Sequence, residues 1–256
     1  MTKRHQGKTI VISGAASGIG QASAIRLAEE GAQIVIADRA KADDTLQKIK
    51  AIGGTAIALQ CDISDPASVA KLKEAVEKDG GRCDILVNNA GIYPMQRFDD
   101  ITFEDWRRVL TVNLDSMFLM TKALSGGMRQ RGWGRVINLA SDTVSLLVPA
   151  FVHYITSKAG VIGFTRSLAT EFGEQGVTVN AIAPGLTRTP GTLARKEVPG
   201  EISNEGLFEM MANMQSIKRR EQVSDLVGAV SFLASEDAGF ITGQTLYVNG
   251  GLTRTT

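Results

Sequence analysis

The sequence predicts a single α/β domain over residues 1–256, built as a doubly wound parallel sheet with helices on both faces. Three observations carry that expectation. Short Val/Ile/Leu runs alternate with amphipathic stretches, a glycine-rich segment follows the first of those runs, and 256 residues without a compositional seam suffice for one sizeable core. Continuous apolar strands separated by helices mark a parallel sheet covered on both faces, whose ligands meet the carboxyl ends of the strands.

Thr9 to Ile12 reads as a strand, Gly18 to Glu30 as a helix and Gln33 to Ala37 as the next strand. Ala40 to Ile52, Ala56 to Gln60, Pro66 to Lys78 and Asp84 to Val87 continue the alternation, giving βαβαβαβ. Thr102, followed three residues later by Asp105, resembles a capping box and opens one long helix through Trp106, Leu110, Leu114 and Leu119 towards Arg131. Arg135 to Leu139 is a strand, and a second long helix runs from about Phe151 to Phe172. Val177 to Ala183 is a strand halted by Pro184-Gly185. Val223 to Ala234 and Thr245 to Val248 close a Rossmann-like pattern as helix and last strand. Residues 187 to 220 break the rhythm, with Pro190-Gly191 and Pro199-Gly200 ahead of Leu207, Met210, Met211 and Met214 at helical spacing. An excursion of this length beside strand ends is expected to act as a substrate lid.

Lys and Arg total 28 against 27 for Asp and Glu, which gives no electrostatic reason to expect nucleic acid or an anionic membrane as partner. Small-molecule chemistry is the expectation. No apolar run approaches the roughly 18 residues of a membrane span, and Lys3-Arg4-His5 leads into a strand without a cleavable hydrophobic segment, so a cytoplasmic location is expected. Cys61 and Cys83 lack ligand spacing and read as reduced, half-buried thiols, with no metal site.

The chemistry lies at successive strand ends. Gly14, Gly18 and Gly20, with Ser17 and Ile19 between them, form a loop that lets backbone approach a pyrophosphate, whose charge is met by free N–H groups at a helix N-terminus. Their spacing, G-x-x-x-G-x-G, differs from the generic G-x-G-x-x-G. Asp38 closes the second strand, where a carboxylate can accept from an adenosine ribose and repel a 2′-phosphate; this favours NAD over NADP, although Arg39 could instead hold that phosphate. Asp62, followed by Ile63, either accepts from an adenine amino group or forms a turn before the next helix. Asn88-Asn89-Ala90-Gly91 suits close approach of a cofactor and equally a plain turn. Ser141 can point into the same crevice and donate to a substrate oxygen. Tyr154 and Lys158 stand one helical turn apart, a spacing that places an ammonium beside a phenol and favours the phenolate. Adjacent helical residues point about 100° apart, so His153 reads as structural.

In order along the chain, Ser13-Gly14-x-x-x-Gly18-Ile19-Gly20, Asn88-Asn89-Ala90-Gly91, Asn113, Ser141, Tyr154-x-x-x-Lys158 and Pro184-Gly185 resemble the short-chain dehydrogenase/reductase family over essentially the whole chain. One departure is Ser13 where threonine is usual, which keeps the hydroxyl. The resemblance implies that Ser141 orients the substrate and that Tyr154 is the acid/base. It implies that Lys158 binds the nicotinamide ribose and depresses the Tyr154 pKa, and that Asn113 supports a water-linked proton relay. It further implies that Pro184, Gly185, Thr187 and Thr189 lie along the cofactor, and that the chain forms a homotetramer through the helices near 104 to 131 and 151 to 172 and the last strand. Within the family, Gly81 to Pro94, Gly132-Trp133-Gly134-Arg135, His153-Tyr154-Ile155 and Thr242 to Leu246 read like NAD-dependent aryl secondary-alcohol dehydrogenases.

Tyr93, Met95, Val144, Leu146, Leu147, Leu186 and the methionine-rich excursion agree with a bulky apolar alcohol or ketone as substrate. The competing reading within enzymes is an NADPH-dependent 3-oxoacyl thioester reductase, for which Arg129 and Arg131 could greet an acidic carrier; Gln175 stands where such reductases usually place another basic residue. A sugar or pyridoxal-type alcohol dehydrogenase is a further possibility. From another class comes an NAD-binding sensor or scaffold without catalysis, which would have no use for an activated phenol.

Overall fold

A computed structural model describes residues 3–146, 148–194 and 202–253. Seven parallel strands form one sheet in the order β3-β2-β1-β4-β5-β6-β9: β1 (Thr9–Ser13), β2 (Gln33–Asp38), β3 (Thr55–Gln60), β4 (Ile85–Asn88), β5 (Gly134–Leu139), β6 (Val177–Pro184) and β9 (Thr245–Val248). The order reverses between β1 and β4, and this switch point opens a crevice at the carboxyl ends of the strands.

Side-chain alternation explains the two layers. Ile10 and Ile12 of β1 face the helices α1 (Gly18–Glu29), α2 (Asp43–Ala51) and α10 (Val223–Leu233), joining Leu27, Ile49 and Leu226. Val11 points the other way, into a core shared with α3 (Pro66–Glu77), α5 (Ser116–Gln130) and α7 (Val152–Phe172) through Leu72, Met120 and Phe172. Each such side chain contributes about 1.5–3 kcal/mol on burial, which fixes the register of every strand. Central β4, β5 and β6 are buried throughout, whereas the edge strand β3 is largely exposed.

Local chemistry moves two boundaries. The long helix expected from Thr102 to Arg131 begins as α4 (Phe103–Leu110), with the Thr102 hydroxyl accepting from Asp105 N at 3.0 Å, and is interrupted by a π-helical turn over Thr111–Asp115 before α5. This wider turn holds Asn113, whose amide is claimed by Ile92 and Ser157. α2 starts at Asp43 rather than Ala40 because Asp38 Oδ1 accepts from Ala40 N at 2.9 Å and keeps those residues in a turn.

The excursion after β6 is pinned at its two ends: β7 (Thr187–Arg188) pairs in parallel with β8 (Glu221–Gln222). Between them lie α8 (Pro190–Leu193), opened by a Thr189–Thr192 capping box, and α9 (Asn204–Met214). Pro199, Gly200 and Leu147 lie outside the described residues. α6 (Thr143–Leu146) completes the set of α-helices among the described residues. None of those helices is long and apolar enough to cross a membrane, and no described group of His, Cys, Asp and Glu could hold a metal ion. Cys61 and Cys83 are buried rather than half-buried, and burial pushes both thiols up.

Candidate active site

The turn after β1 is shaped by contacts that only glycine tolerates. Gly14 has φ +69°, and a Cβ there would lie 2.8 Å from Ala90 Cα; a Cβ on Gly20 would lie 2.3 Å from Gly14 O and 2.5 Å from Asn89 Nδ2. Asn89 ties this turn to β4 by donating from Nδ2 to Ser13 O (3.0 Å) and Gly14 O (2.9 Å). In return the Ser13 hydroxyl accepts from Asn89 N and Ala90 N at 3.0 and 3.1 Å. Ser17 leads into α1 with extended backbone and no side-chain cap, which leaves the first N–H groups of that helix without a side-chain acceptor. Gly18, with φ +60°, directs the chain into it.

Asp38 reaches the same turn, its Oδ2 accepting from Ala16 N at 2.9 Å. Asp62 behaves as a turn residue: Oδ1 accepts from Ser64 N (2.9 Å) and Ser64 Oγ (2.5 Å), and these bonds hold its carboxyl below the usual range. Ile63 sends its side chain into the core beside Val69 and Leu72, away from the crevice. Asn88, the first of the paired asparagines, is structural and bonds Thr121 and Asn138 inside the fold at 3.1 and 2.9 Å.

A cavity of ≈ 320 Å³ opens over the switch point, and Ser141, Tyr154 and Lys158 line it together with Ile19, Asn89 and Gly91. Pro184, Gly185, Thr187 and Thr189 form another wall. Asn113 is fully buried behind Gly91: Oδ1 accepts from Ile92 N at 2.8 Å, and Nδ2 donates to Ile92 O (2.8 Å) and Ser157 Oγ (3.0 Å). Ser141 follows β5. Its Oγ accepts from Thr143 Oγ1 at 3.0 Å and from Thr143 N at 3.3 Å, which leaves its own proton for the Tyr154 oxygen it bonds.

The phenol is not set as the helical spacing implied. Burial pushes Tyr154 up to about 12; the Ser141 hydrogen bond opposes this, and Asp142 and Tyr93 reinforce it. Lys158 Nζ lies 5.9 Å from the Tyr154 ring centroid and donates to Leu139 O at 2.6 Å, while burial brings its own pKa down to about 8. The immediate partner of the phenol is therefore Ser141 and not the ammonium, because the Leu139 carbonyl captures the lysine. In this state Tyr154 is a proton donor at neutral pH.

The remaining lining is apolar. Tyr93 meets the Tyr154 ring edge-on at 6.4 Å, and Phe151 lies 5.4 Å from it; Met95, Leu146, Val148 and Leu186 surround them. From α9, Leu207, Phe208 and Met211 face the cavity, whereas Met210 and Met214 do not line it and are 40% and 53% exposed. Val144, expected in the pocket, packs against Met117 and Val161 instead. His153 is fully buried and does not line the cavity. Sequence reasoning passed over Thr143, Phe151 and Phe208, and also two buried acids, Asp142 and Glu221. Asp142 was findable as the neighbour of Ser141. Glu221 carries no local signal, since only the β7–β8 pairing brings it to Thr187.

Fold and site together define an α/β oxidoreductase. A family profile described as "Enoyl-(Acyl carrier protein) reductase" matches residues 14–253. The chain is 37% identical over 248 residues to a 3-oxoacyl-(acyl-carrier-protein) reductase of Haemophilus influenzae, covering 96% of this chain and 98% of that protein. Among solved structures it is similar to a gluconate 5-dehydrogenase from Burkholderia cenocepacia in complex with NADP and tartrate (TM-score 0.90, 33% identity, 99% and 98% of the two chains). A 3-oxoacyl-(acyl-carrier-protein) reductase with bound NAD from Brucella melitensis is also similar (TM-score 0.87, 32% identity, 99% and 94% coverage). The chain belongs to the short-chain dehydrogenase/reductase family.

Proposed function

We propose that this protein interconverts a secondary alcohol and its ketone with NAD, on a substrate that is aromatic or otherwise bulky and apolar. The observation that carries the reading is a Ser141–Tyr154 hydrogen-bonded pair opening into a cavity whose further walls are Tyr93, Phe151, Leu186 and Phe208. Nicotinamide dinucleotide, when bound, supplies the hydride acceptor or donor. The chain's own residues do the rest: Ser141 holds the substrate oxygen, Tyr154 exchanges its proton, and Lys158, fixed by Leu139 O, serves the ribose. Residues 187 to 220 act as the lid, with α9 as its inner face.

Among the described lining residues Lys158 is the one cation, with no Arg and no His beside it, and Leu139 O holds that ammonium, so a carboxylated substrate finds no free cation there. The likeness to 3-oxoacyl reductases makes the thioester the second reading. Against it stand the two arginines that could greet an acidic carrier: Arg131 is bound to Cys83 O and Asp84, and Arg129 lies over the Phe172 ring at 4.9 Å. A sensor without catalysis leaves the Thr143–Ser141–Tyr154 chain without a purpose.

Initial rates with NAD and NADP in parallel, against 1-phenylethanol, acetophenone, gluconate and an acetoacetyl thioester, test all three. NAD is expected to exceed NADP in kcat/KM by about tenfold or more, from repulsion between Asp38 and a 2′-phosphate. The aryl pair is expected to exceed the thioester, and a preference for thioester with NADPH would replace this reading by the second.

We also propose a homotetramer, as the family resemblance implies. Leu114, Phe118, Leu119 and Phe164 line an open apolar hollow between the two long helices, and Phe118 is half exposed. Sedimentation equilibrium is expected to give four chains per particle, and the mass of one chain would remove the proposal. A cytoplasmic setting suits the unpaired thiols of Cys61 and Cys83.

A further inference from the structure

Two carboxyl groups that the chemistry above does not use flank the loop after β6. Asp142 directly follows Ser141, is 3% exposed and lines the cavity; its backbone N–H donates to Pro184 O at 3.0 Å. Asn249 bonds its carboxyl, yet Oδ2 is buried with no partner among the described residues. Glu221, 5% exposed, approaches the same loop from β8: Oε1 accepts from Thr187 Oγ1 at 2.5 Å and Oε2 from Gly185 N at 3.2 Å. Gly185 is required there, since a Cβ would lie 2.7 Å from Glu221 Oε2.

Among the described residues neither acid has a cation of its own. Arg219 is taken by Asp225 in a two-pronged pair, and Lys158 is held by Leu139 O. Burial raises both carboxyls to about 7, and the charge of Asp142 adds to the rise in Glu221, as the more distant Asp225 does. A glutamine at 221 could make the same two bonds, its amide oxygen accepting from Gly185 N and its amide N–H donating to Thr187 Oγ1. Hydrogen bonding alone therefore does not explain an acid that destabilises the fold whenever it ionises.

We infer that Asp142 and Glu221 are a specificity-determining acid pair that selects the oxidised over the reduced dinucleotide, by presenting buried negative charge to the cationic nicotinamide ring. The inference rests on the dinucleotide reading above. Hydride transfer requires that ring beside the carbon whose oxygen Ser141 and Tyr154 hold, which is the cavity that Asp142 lines and Glu221 backs. The oxidised ring carries a positive charge and the reduced ring none, so an uncompensated carboxylate acts on one form only.

The sign of the pH dependence follows. Each folded-state pKa lies above its ordinary value, 4.5 for Glu221 and 3.8 for Asp142, so the stability these groups contribute is complete below those values and is lost as pH rises through about 7. Selection for the oxidised form grows over the same upper range.

The test measures dissociation constants of NAD by calorimetry and of NADH by fluorescence, with thermal melts, for the wild type, Glu221→Gln and Asp142→Asn at pH 6 and pH 8. At pH 8 each variant is expected to bind NAD about tenfold more weakly while NADH stays within about twofold, and Glu221→Gln is expected to melt higher than the wild type. The wild-type preference for NAD is expected to rise from pH 6 to pH 8 and to rise less in Glu221→Gln, where Asp142 alone still titrates. Equal weakening of both forms with a lower melting temperature, or no change in either affinity, overturns the inference. A wild type that binds neither NAD, NADH nor the phosphorylated pair overturns the dinucleotide reading itself, and this inference with it.

Discussion

Tyr154→Phe is expected to lower kcat by about 10²–10⁴ in both directions while leaving dinucleotide affinity within about twofold. Phenylalanine keeps the ring that packs against Phe151 and Tyr93, so the pocket retains its shape. What is lost is the one hydroxyl that receives the Ser141 proton and faces the cavity. Thr143 donates to Ser141, Ser141 donates to Tyr154, and removing the last oxygen leaves this chain ending on carbon. The phenol stands at about 12 without ligand, so ketone reduction uses it as found, whereas alcohol oxidation requires that its pKa first fall. Stopped-flow transients with deuterated alcohol read the chemical step directly. Turnover retained in the variant, with a normal isotope effect, would remove Tyr154 from the reaction.

Gly20→Ala is expected to abolish dinucleotide binding and to destabilise the fold by about 1–3 kcal/mol or more, the usual cost of overpacking. The added methyl would sit 2.3 Å from Gly14 O, which is backbone and cannot swing aside, and 2.5 Å from the side-chain Nδ2 of Asn89. Relief requires the turn after β1 to leave β4, which breaks the Asn89 bonds to Ser13 O and Gly14 O. Gly163→Ala supplies the control. It lies within α7 with open space around its Cα, so alanine there is expected to be neutral or to stabilise by about 0.5–1 kcal/mol. Calorimetric titration with NAD and thermal melts of both variants decide the matter; a Gly20→Ala protein that binds NAD normally contradicts the close packing of the glycine turn.

The glycine turn, Asp38, Ser141 and the Tyr154–Lys158 helix were legible because each is a short-range pattern, a strand end followed by a turn or one helical turn of spacing. The turn role of Asp62 was legible as one of two readings, and its bonds to Ser64 are those of a turn. Where the reading departed from the structure, a partner distant in sequence decided the outcome. Lys158 pairs with Leu139 O, nineteen positions away, before it can reach the phenol. The π turn at Asn113 answers to Ile92 and Ser157, neither of which is on its helix. Met210 and Met214 were grouped with Met211 by spacing alone, and the way α9 docks turned two of the three outward.

The amino-acid sequence by itself determined the parallel sheet, the switch-point crevice and the family, since these depend on the hydrophobic period and on residue types at strand ends. Only the tertiary structure decided which groups hold charge in that crevice. Asp142 and Glu221 are 79 positions apart in the chain, and burial beneath one loop gives them a common potential. Electrostatic energy depends on distance through the fold and on exclusion of water, and neither is encoded in local order along a chain.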